Sequence, residues 1–320
     1  MAKRRTKWIV IPLVILLVLS GLWFAAFRLA GGSSKSPVGS QFDENVVQEG
    51  DTSDKVIEIN VVGEIFSDPD GSAKGASDTN IIAQLDRVAD DDDVKAVILN
   101  LETPGGSVVA SDSIYQRVLK LRHEGTPVIA LMGDVAASGG YYIAAGTDEI
   151  VARPATWTGS IGVIAMLPNV EKAAAKVGIA VNVLKSGKFK DAGSPFRSMT
   201  ADEQKLFQDL INEAYEGFVQ VVADGRKLSI DKVHELADGR VYSGKQAHDL
   251  GLVDRLGGED LAFQRAKALG KAPGAQLVKY SSSLGLGDIL GAAGSSNVKS
   301  LIQQQLGIPR RPGPSYLWLP

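Results

Sequence analysis

The chain has 320 residues, a formal net charge of −3, 44% hydrophobic and 22% charged residues, and no cysteine. This length allows one large domain or two small ones, and the near-balanced charge gives no reason to expect a nucleic-acid partner. The lack of cysteine excludes thiol catalysis, disulfides, thiolate metal sites and a lipid anchor through cysteine.

The first residues point to a membrane. Lys3, Arg4, Arg5 and Lys7 make residues 1–7 a basic stub, and the run from Trp8 to Phe27 carries no charge. A helix of that length spans roughly 30 Å, a hydrocarbon thickness. Trp8 and Trp23 lie near its ends, where aromatic belts sit. The positive-inside rule keeps the stub in the cytoplasm and sends the remainder outside. A cleaved signal peptide would have a shorter apolar core followed by a small-x-small site, whereas Arg28 and Leu29 follow here. The expectation is an uncleaved transmembrane helix over 8–27, a cell-membrane location, and a linker over 28–55. Gly31 to Gln48, rich in Gly, Ser and polar residues, reads as a flexible tether.

From Val56 the pattern alternates between short apolar strands and amphipathic helices. It predicts a strand pair or bent strand over Val56–Ile65, a helix over Thr79–Ala89, a buried strand over Val94–Leu101 and a helix over Val108–Arg122. A second buried strand is expected over Val128–Met132, then a short helix over Ser138–Ala145. Strands are expected over Glu149–Ala152, Ile161–Ala165 and Val181–Leu184, with a helix over Val170–Val177. This alternation implies an α/β fold with parallel strands. Thr200 and Glu203 form a capping-box pattern ahead of Phe207, Leu210, Ile211, Ala214, Phe218 and Val222, which recur at helical spacing as core or subunit packing. Further helices are expected over Ile230–Ala237, from Ser243 to about Leu250, and over Asp260–Leu269, with a short strand over Leu252–Arg255. The domain is thus read as 56–280, followed by a Gly/Ser- and Pro-rich tail over 281–320. The acidic run Asp90–Asp93 reads as a solvated turn, with no metal-ligand spacing. No phosphate loop is present, and no metal or cofactor is expected.

A serine nucleophile needs a base within hydrogen-bond reach. His123, His234 and His248 have no Ser-Asp context, which disfavours a Ser-His-Asp triad. Ser138 stands at a strand-to-helix corner ahead of Gly139 and Gly140, where free N–H groups favour developing negative charge. A plain helix-capping serine fits that segment equally well. Thr103-Pro104-Gly105-Gly106 makes another such corner, and its amides with that of Gly139 could form an oxyanion hole. Ser186 to Pro195 offers Lys188 and Lys190, and spacing leaves both open as the base. Either would need a pKa lowered by apolar surroundings.

Four segments in this order carry a resemblance: GDVAASGGYYI (Gly133 to Ile143), TGSIGV (Thr158 to Val163), SGKFKDAGSP (Ser186 to Pro195) and RVYSGKQAHDLGLVDRLGG (Arg240 to Gly258). The chain resembles the bacterial signal peptide peptidase A family in its short, single-repeat form, over about Val56 to Leu269. The resemblance implies a Clp-protease/crotonase-like spiral of ββα units and a Ser/Lys dyad without cofactor. The family's nucleophile falls on Ser138, its base on Lys190, a serine supporting that lysine on Ser160, and the oxyanion amides on Gly105, Gly106 and Gly139. Where the family often has Asn-Ser-Pro-Gly-Gly, this chain has Glu102-Thr103-Pro104-Gly105-Gly106. The implied substrates are apolar peptides, the signal peptides left in the membrane. The implied assembly is a homo-oligomeric ring whose active sites are shared between subunits. A related membrane peptidase acting on a membrane protein partner, an acyl-CoA hydratase or isomerase on the same fold, and a non-catalytic membrane scaffold, which would need no constellation of Ser138, Ser160 and Lys190, are the alternatives.

Overall fold

The structure, a computed structural model, describes residues 42–69, 75–282 and 315–317. The basic stub and the expected anchor Trp8–Phe27 lie outside the described residues. Among those described, no helix is long and apolar enough to cross a membrane.

In chain order come β1 (Phe42–Gln48), β2 (Lys55–Val62), α1 (Asp78–Ala89), β3 (Val94–Thr103), β4 (Gly105–Ser107), α2 (Val108–His123), β5 (Val128–Ala137) and α3 (Gly139–Ala145). Next are β6 (Glu149–Ala152), β7 (Trp157–Gly159), α4 (Glu171–Lys176), the long α5 (Ala201–Arg226), α6 (Ile230–Leu236), β8 (Val241–Ser243) and α7 (Gly244–Asp249). The described chain ends with β9 (Arg255–Leu256), α8 (Glu259–Leu269), β10 (Gln276–Ser282) and β11 (Ser315–Leu317).

The main sheet has the order β1-β10-β2-β3-β5-β6-β9. Its pairs are parallel except β1 with β10. β7 branches off, parallel to the last residues of β5 and antiparallel to β8. Parallel strands need crossovers that cover both sheet faces, so their residues are apolar on both sides. The alternation of side chains then sorts the core into two layers. Ile57, Ile59, Val97, Leu99, Val128 and Ala130 face one way, into a core shared with Leu85, Ile114, Val118, Tyr141 and Phe218 of α1, α2, α3 and α5. Val56, Ala96, Ile98, Ile129 and Leu131 face the other way, where Ala262, Phe263 and Ala266 of α8 cover them. The mixed α/β fold is therefore as the sequence predicts.

Helix starts are set by local chemistry. The hydroxyls of Ser77, Ser107, Ser229 and Ser243 accept N–H groups in the first turns of α1, α2, α6 and α7. Thr200 and Glu203 complete the expected capping box of α5.

Some elements differ from expectation. Phe42–Gln48, placed in the linker, is a strand zipped onto β10, and β10 itself falls where no element was expected. Neither Ile161–Ala165 nor Val181–Leu184 is a strand. Short apolar runs become strands only beside a sheet edge that can pair with them. In this chain β7 takes that place for the first run. The second stays irregular, with Val181, Val183 and Leu184 exposed. The short strand expected over Leu252–Arg255 lies at Arg255–Leu256.

Candidate active site

β5 runs past its expected end to Ala137 and delivers Ser138 to the start of α3. Its register against β3 jumps from Leu101 opposite Met132 to Thr103 opposite Ala136, so Gly133–Val135 bulge out between them. The Glu102 carboxylate holds that bulge, accepting the N–H of Asp134 at 2.7 Å and of Val135 at 3.3 Å. A Cβ on Gly133 would stand 2.0 Å from Glu102 Oε2, so the carboxylate reaches the bulge only because residue 133 is glycine. The side chain that departs from the resembled motif thus has a definite task here.

Ser138 is 1% exposed. Its backbone sits at φ 53°, ψ −116° and its hydroxyl caps no N–H. The capping serines Ser77, Ser107, Ser229 and Ser243 have negative φ and do bond to their helices. A non-glycine residue in such a conformation costs about 1–3 kcal/mol and persists where surrounding structure holds it. Here the Ser138 N–H donates to Gly159 O at 2.8 Å and Ser138 O accepts from Tyr142 N at 2.8 Å. A strained corner of this kind lifts a serine hydroxyl out of the helix it precedes.

The glycines expected to stabilise an oxyanion converge on this corner. A Cβ on Gly139 would lie 3.2 Å from Gly106 N and 3.3 Å from Gly105 Cα, so the two glycine turns touch. On Gly140 it would meet Thr103 Cγ2 at 2.6 Å. The Gly105 N–H donates to Thr103 Oγ1 at 3.0 Å. The oxyanion donor of that pair is therefore sought at Gly106, which stands opposite Tyr316 of β11. Gly105 O accepts from Ile65 N, and Ser107 N donates to Ile65 O, both at 2.8 Å. The intervening Gly106 turns its N–H and C=O to the opposite edge of β4.

Ser160 follows β7 directly and is also strained, at φ 48°. It is buried, with its N–H donating to Arg240 O at 2.8 Å. The pairing of Ala137 with Gly159 sets Ser138 and Ser160 beside each other on parallel strand ends. Ser160 also lines a cleft of about 590 Å³ together with Val163, Ile211, Tyr215, Asp238 and Gly239.

Lys190 stands on an exposed turn, and no hydrogen bond joins it to Ser138 or Ser160. Its neighbours are engaged, Lys188 with Asp202 and Lys185 with Asp191. Among the described residues the Lys190 ammonium makes neither an ion pair nor a side-chain hydrogen bond.

The turn carrying Lys190 is held by a residue the sequence did not single out. Arg197 donates Nε to Asp191 Oδ2 at 2.9 Å and Nη2 to Asp191 O at 3.0 Å. It also grips Glu203 with both Nη atoms. The hydrogen bond from Arg197, followed by that from Lys185, holds the Asp191 carboxyl below the usual carboxylate range. The hydrogen bond from Arg197 likewise lowers Glu203 to about 2, and the N–H of Thr200 adds to it. The only signal in the sequence was Glu203 at the capping-box position. Nothing marked Arg197 as its partner.

The His234 ring lies tilted against Tyr215 with ring centroids 5.8 Å apart, and no histidine hydrogen-bonds to Ser138. No cluster of potential metal ligands occurs among the described residues.

The profile of peptidase family S49 matches residues 120–272, a span that includes Ser138, Ser160 and Lys190. A protein of Enterococcus faecium provisionally named signal peptide peptidase SppA is 36% identical over 78% of this chain and 74% of its own length. The chain belongs to peptidase family S49. This S49 peptidase is also 42% identical to a provisionally named protease of Synechocystis, over 68% of this chain and 75% of that protein. Against Protease 4 of Haemophilus influenzae it is 37% identical over 67% of this chain, but this covers 35% of that longer protein. The S49 chain is an SppA-like serine peptidase, and the acyl-CoA hydratase or isomerase alternative is set aside.

Proposed function

We propose that this S49 peptidase is held in the cytoplasmic membrane by Trp8–Phe27 and hydrolyses remnant signal peptides at the outer face, with Ser138 as nucleophile and Lys190 as base. The observation that carries the nucleophile is the backbone of Ser138 at φ 53°, which no capping role requires. Ser138 Oγ attacks the scissile carbonyl and gives its proton to a neutral Lys190 amine. The oxyanion is received by the N–H groups of Gly106 and Gly139. Lys190 passes the proton to the leaving amine, and water, deprotonated by the same lysine, then frees the acyl-enzyme. Ser160 orients the lysine. The choice of Lys190 over Lys188 rests on the resemblance, which puts the base on the lysine directly before Asp191, and the pairing of Lys188 with Asp202 agrees with it.

Lys190 would come from a neighbouring subunit. The lack of a hydrogen bond between it and Ser138 within the chain supports this, as do the exposed apolar side chains Val177, Ile179, Leu184 and Phe196 of the same part of the chain. An extracytoplasmic ring of head-to-tail copies would cover those side chains. The succession β3–β4–α2, strand then edge strand then helix, is in keeping with a spiral of ββα units. An anchor would keep the site where apolar peptides leave the bilayer.

The test is cleavage of a synthetic signal peptide together with fluorophosphonate labelling. Ser138→Ala should lose labelling, and both Ser138→Ala and Lys190→Met should lose about 10³-fold or more in kcat while remaining folded. Lys188→Met should stay within about tenfold of the parent. An active Lys190→Met beside an inactive Lys188→Met would reverse the assignment of the base.

A further inference from the structure

Ser111, one turn into α2, is fully buried, and among the described residues its hydroxyl has no hydrogen-bond partner. Buried polar groups are nearly always paired, because an unpaired one gives up its bonds to water and regains nothing. A serine inside a helix has a local remedy in the carbonyl four residues back. Ser113 on the same helix takes it, donating to Val109 O at 2.9 Å. Ser111 does not. Side chains on a helix lean toward its N-terminus, so Ser111 Oγ is carried back toward the junction of β4 and α2, where Gly106 lies.

The surroundings of Gly139 show where that hydroxyl stands. A Cβ on Gly139 would lie 2.5 Å from Ser111 Oγ and 3.2 Å from Gly106 N. The amide nitrogen of Gly139 itself is about 2.5 Å from the same point by covalent geometry. Both nitrogens assigned to the oxyanion and one unpaired hydroxyl thus surround the space left by the missing side chain at residue 139. The two helices are tied together there. The Tyr142 hydroxyl of α3 donates to Asp112 Oδ1 of α2 at 2.9 Å, and the rings of Tyr115 and Tyr142 pack edge to face with centroids 5.2 Å apart.

We propose that the Ser111 hydroxyl is a third donor to the oxyanion, beside the N–H groups of Gly106 and Gly139. This rests on the reading of Ser138 as nucleophile and of those two amides as its oxyanion hole. When Ser138 Oγ adds to the scissile carbonyl, the carbonyl oxygen takes the negative charge and the Ser111 O–H turns to it. Ser111 keeps its proton, and no covalent bond to it forms or breaks. The hydrogen bond is made only as charge develops, so it favours the transition state over the bound substrate. An unpaired hydroxyl in the free enzyme is the stability given up for that activity.

The experiment uses the full chain and its Ser111→Ala, Ser111→Cys and Ser113→Ala variants. It measures thermal unfolding, hydrolysis of an unstructured fluorogenic peptide, and inhibition by a peptide aldehyde of the same sequence. Ser138 Oγ adds to the aldehyde and places the hemiacetal oxygen where the oxyanion forms. Ser111→Ala should lose about 10²-fold in kcat with KM within about twofold of the parent. Its affinity for the aldehyde should fall about tenfold or more. Its unfolding midpoint should equal or exceed that of the parent, because an unpaired buried hydroxyl has been removed. Ser111→Cys, similar in size but a weak donor, should fall between the two in kcat. Ser113→Ala should match the parent. Parental kcat and aldehyde affinity in Ser111→Ala would overturn the proposal. So would a lowered midpoint with equal loss of kcat in both Ser111 variants, which would make Ser111 a packing residue. Failure of the active-site reading shows separately, as a Ser138→Ala chain that still hydrolyses peptide or takes the fluorophosphonate label.

Discussion

Gly106 has no space for a side chain. A Cβ there would stand 1.9 Å from Ile65 O and 2.6 Å from Ile65 N, both backbone atoms that cannot swing aside. Gly106→Ala must push β4 away from Ile65, at a stability cost of roughly 1–3 kcal/mol. It should also turn the Gly106 N–H away from the oxyanion, so kcat should drop about 10²-fold or more with less effect on KM. Thermal unfolding and steady-state kinetics on one preparation check both; a stable, fully active Gly106→Ala would remove Gly106 from the oxyanion hole. Glu102→Ala strips the bulge of its two N–H acceptor contacts and should lower kcat, whereas Glu102→Gln, which keeps an amide oxygen, should restore part of the loss. The sequence named Gly105, Gly106 and Gly139 together. It could not separate Gly105, whose N–H is taken by the Thr103 hydroxyl, because such a bond depends on a side-chain rotamer. Nor could it distinguish a capping serine at 138 from a strained one, because the same Ser-Gly-Gly letters permit either φ.

The stretch between β7 and α5 shows where an element depends on more than its own residues. The buried strands β3 and β5 were legible because parallel strands covered on both faces read as unbroken apolar runs. Val181–Leu184 has the same lettering, yet no sheet edge among the described residues takes it up. The loop around Lys190 is shaped instead by Arg197 between Asp191 and Glu203. Long-range charge pairing of this kind leaves no periodic trace. The lowered pKa of Glu203 has a sign that can be tested. A carboxylate whose pKa is depressed on folding stabilises the fold above its unfolded value, about 4.3 for Glu. That contribution disappears as pH falls through the folded value, about 2 for Glu203. Asp191 acts in the same direction. The loop 187–199 should therefore keep its amide protection down to about pH 4 and lose it between about pH 4 and 2. Arg197→Met should lose that protection at neutral pH. It should also lower kcat about tenfold, because Lys190 would no longer be presented in one geometry. Equal protection in the variant and the parent across this range would show that the clamp does not order the loop.

At the scale of the whole molecule, the exposed apolar surface and the isolated lysine lead to one arrangement. α5 divides along its length: Phe218, Val219 and Val222 are buried in the core, while Leu206 and Leu210 near its start are exposed. The stripe from Phe207 to Val222 reads as continuous in sequence, because periodicity reports an apolar face and not what covers it. Phe189, beside Lys190, is exposed as well. Exposed large apolar side chains are what an interface between copies would cover. If a second copy covers them, Lys190 travels with the covering arm toward a Ser138 that is not its own. The test mixes two inactive proteins, Ser138→Ala and Lys190→Met, unfolded together and reassembled. With sites formed between chains and random mixing, roughly a quarter of the interfaces contain both native groups, so activity should return to about a quarter of that of the parent. With sites formed inside one chain, no reassembled particle has an intact site. Leu184→Asp, placed on a fully exposed side chain, should weaken the assembly and the recovered activity together. Rings shown to contain both subunits yet wholly inactive would place Ser138 and its lysine within a single chain.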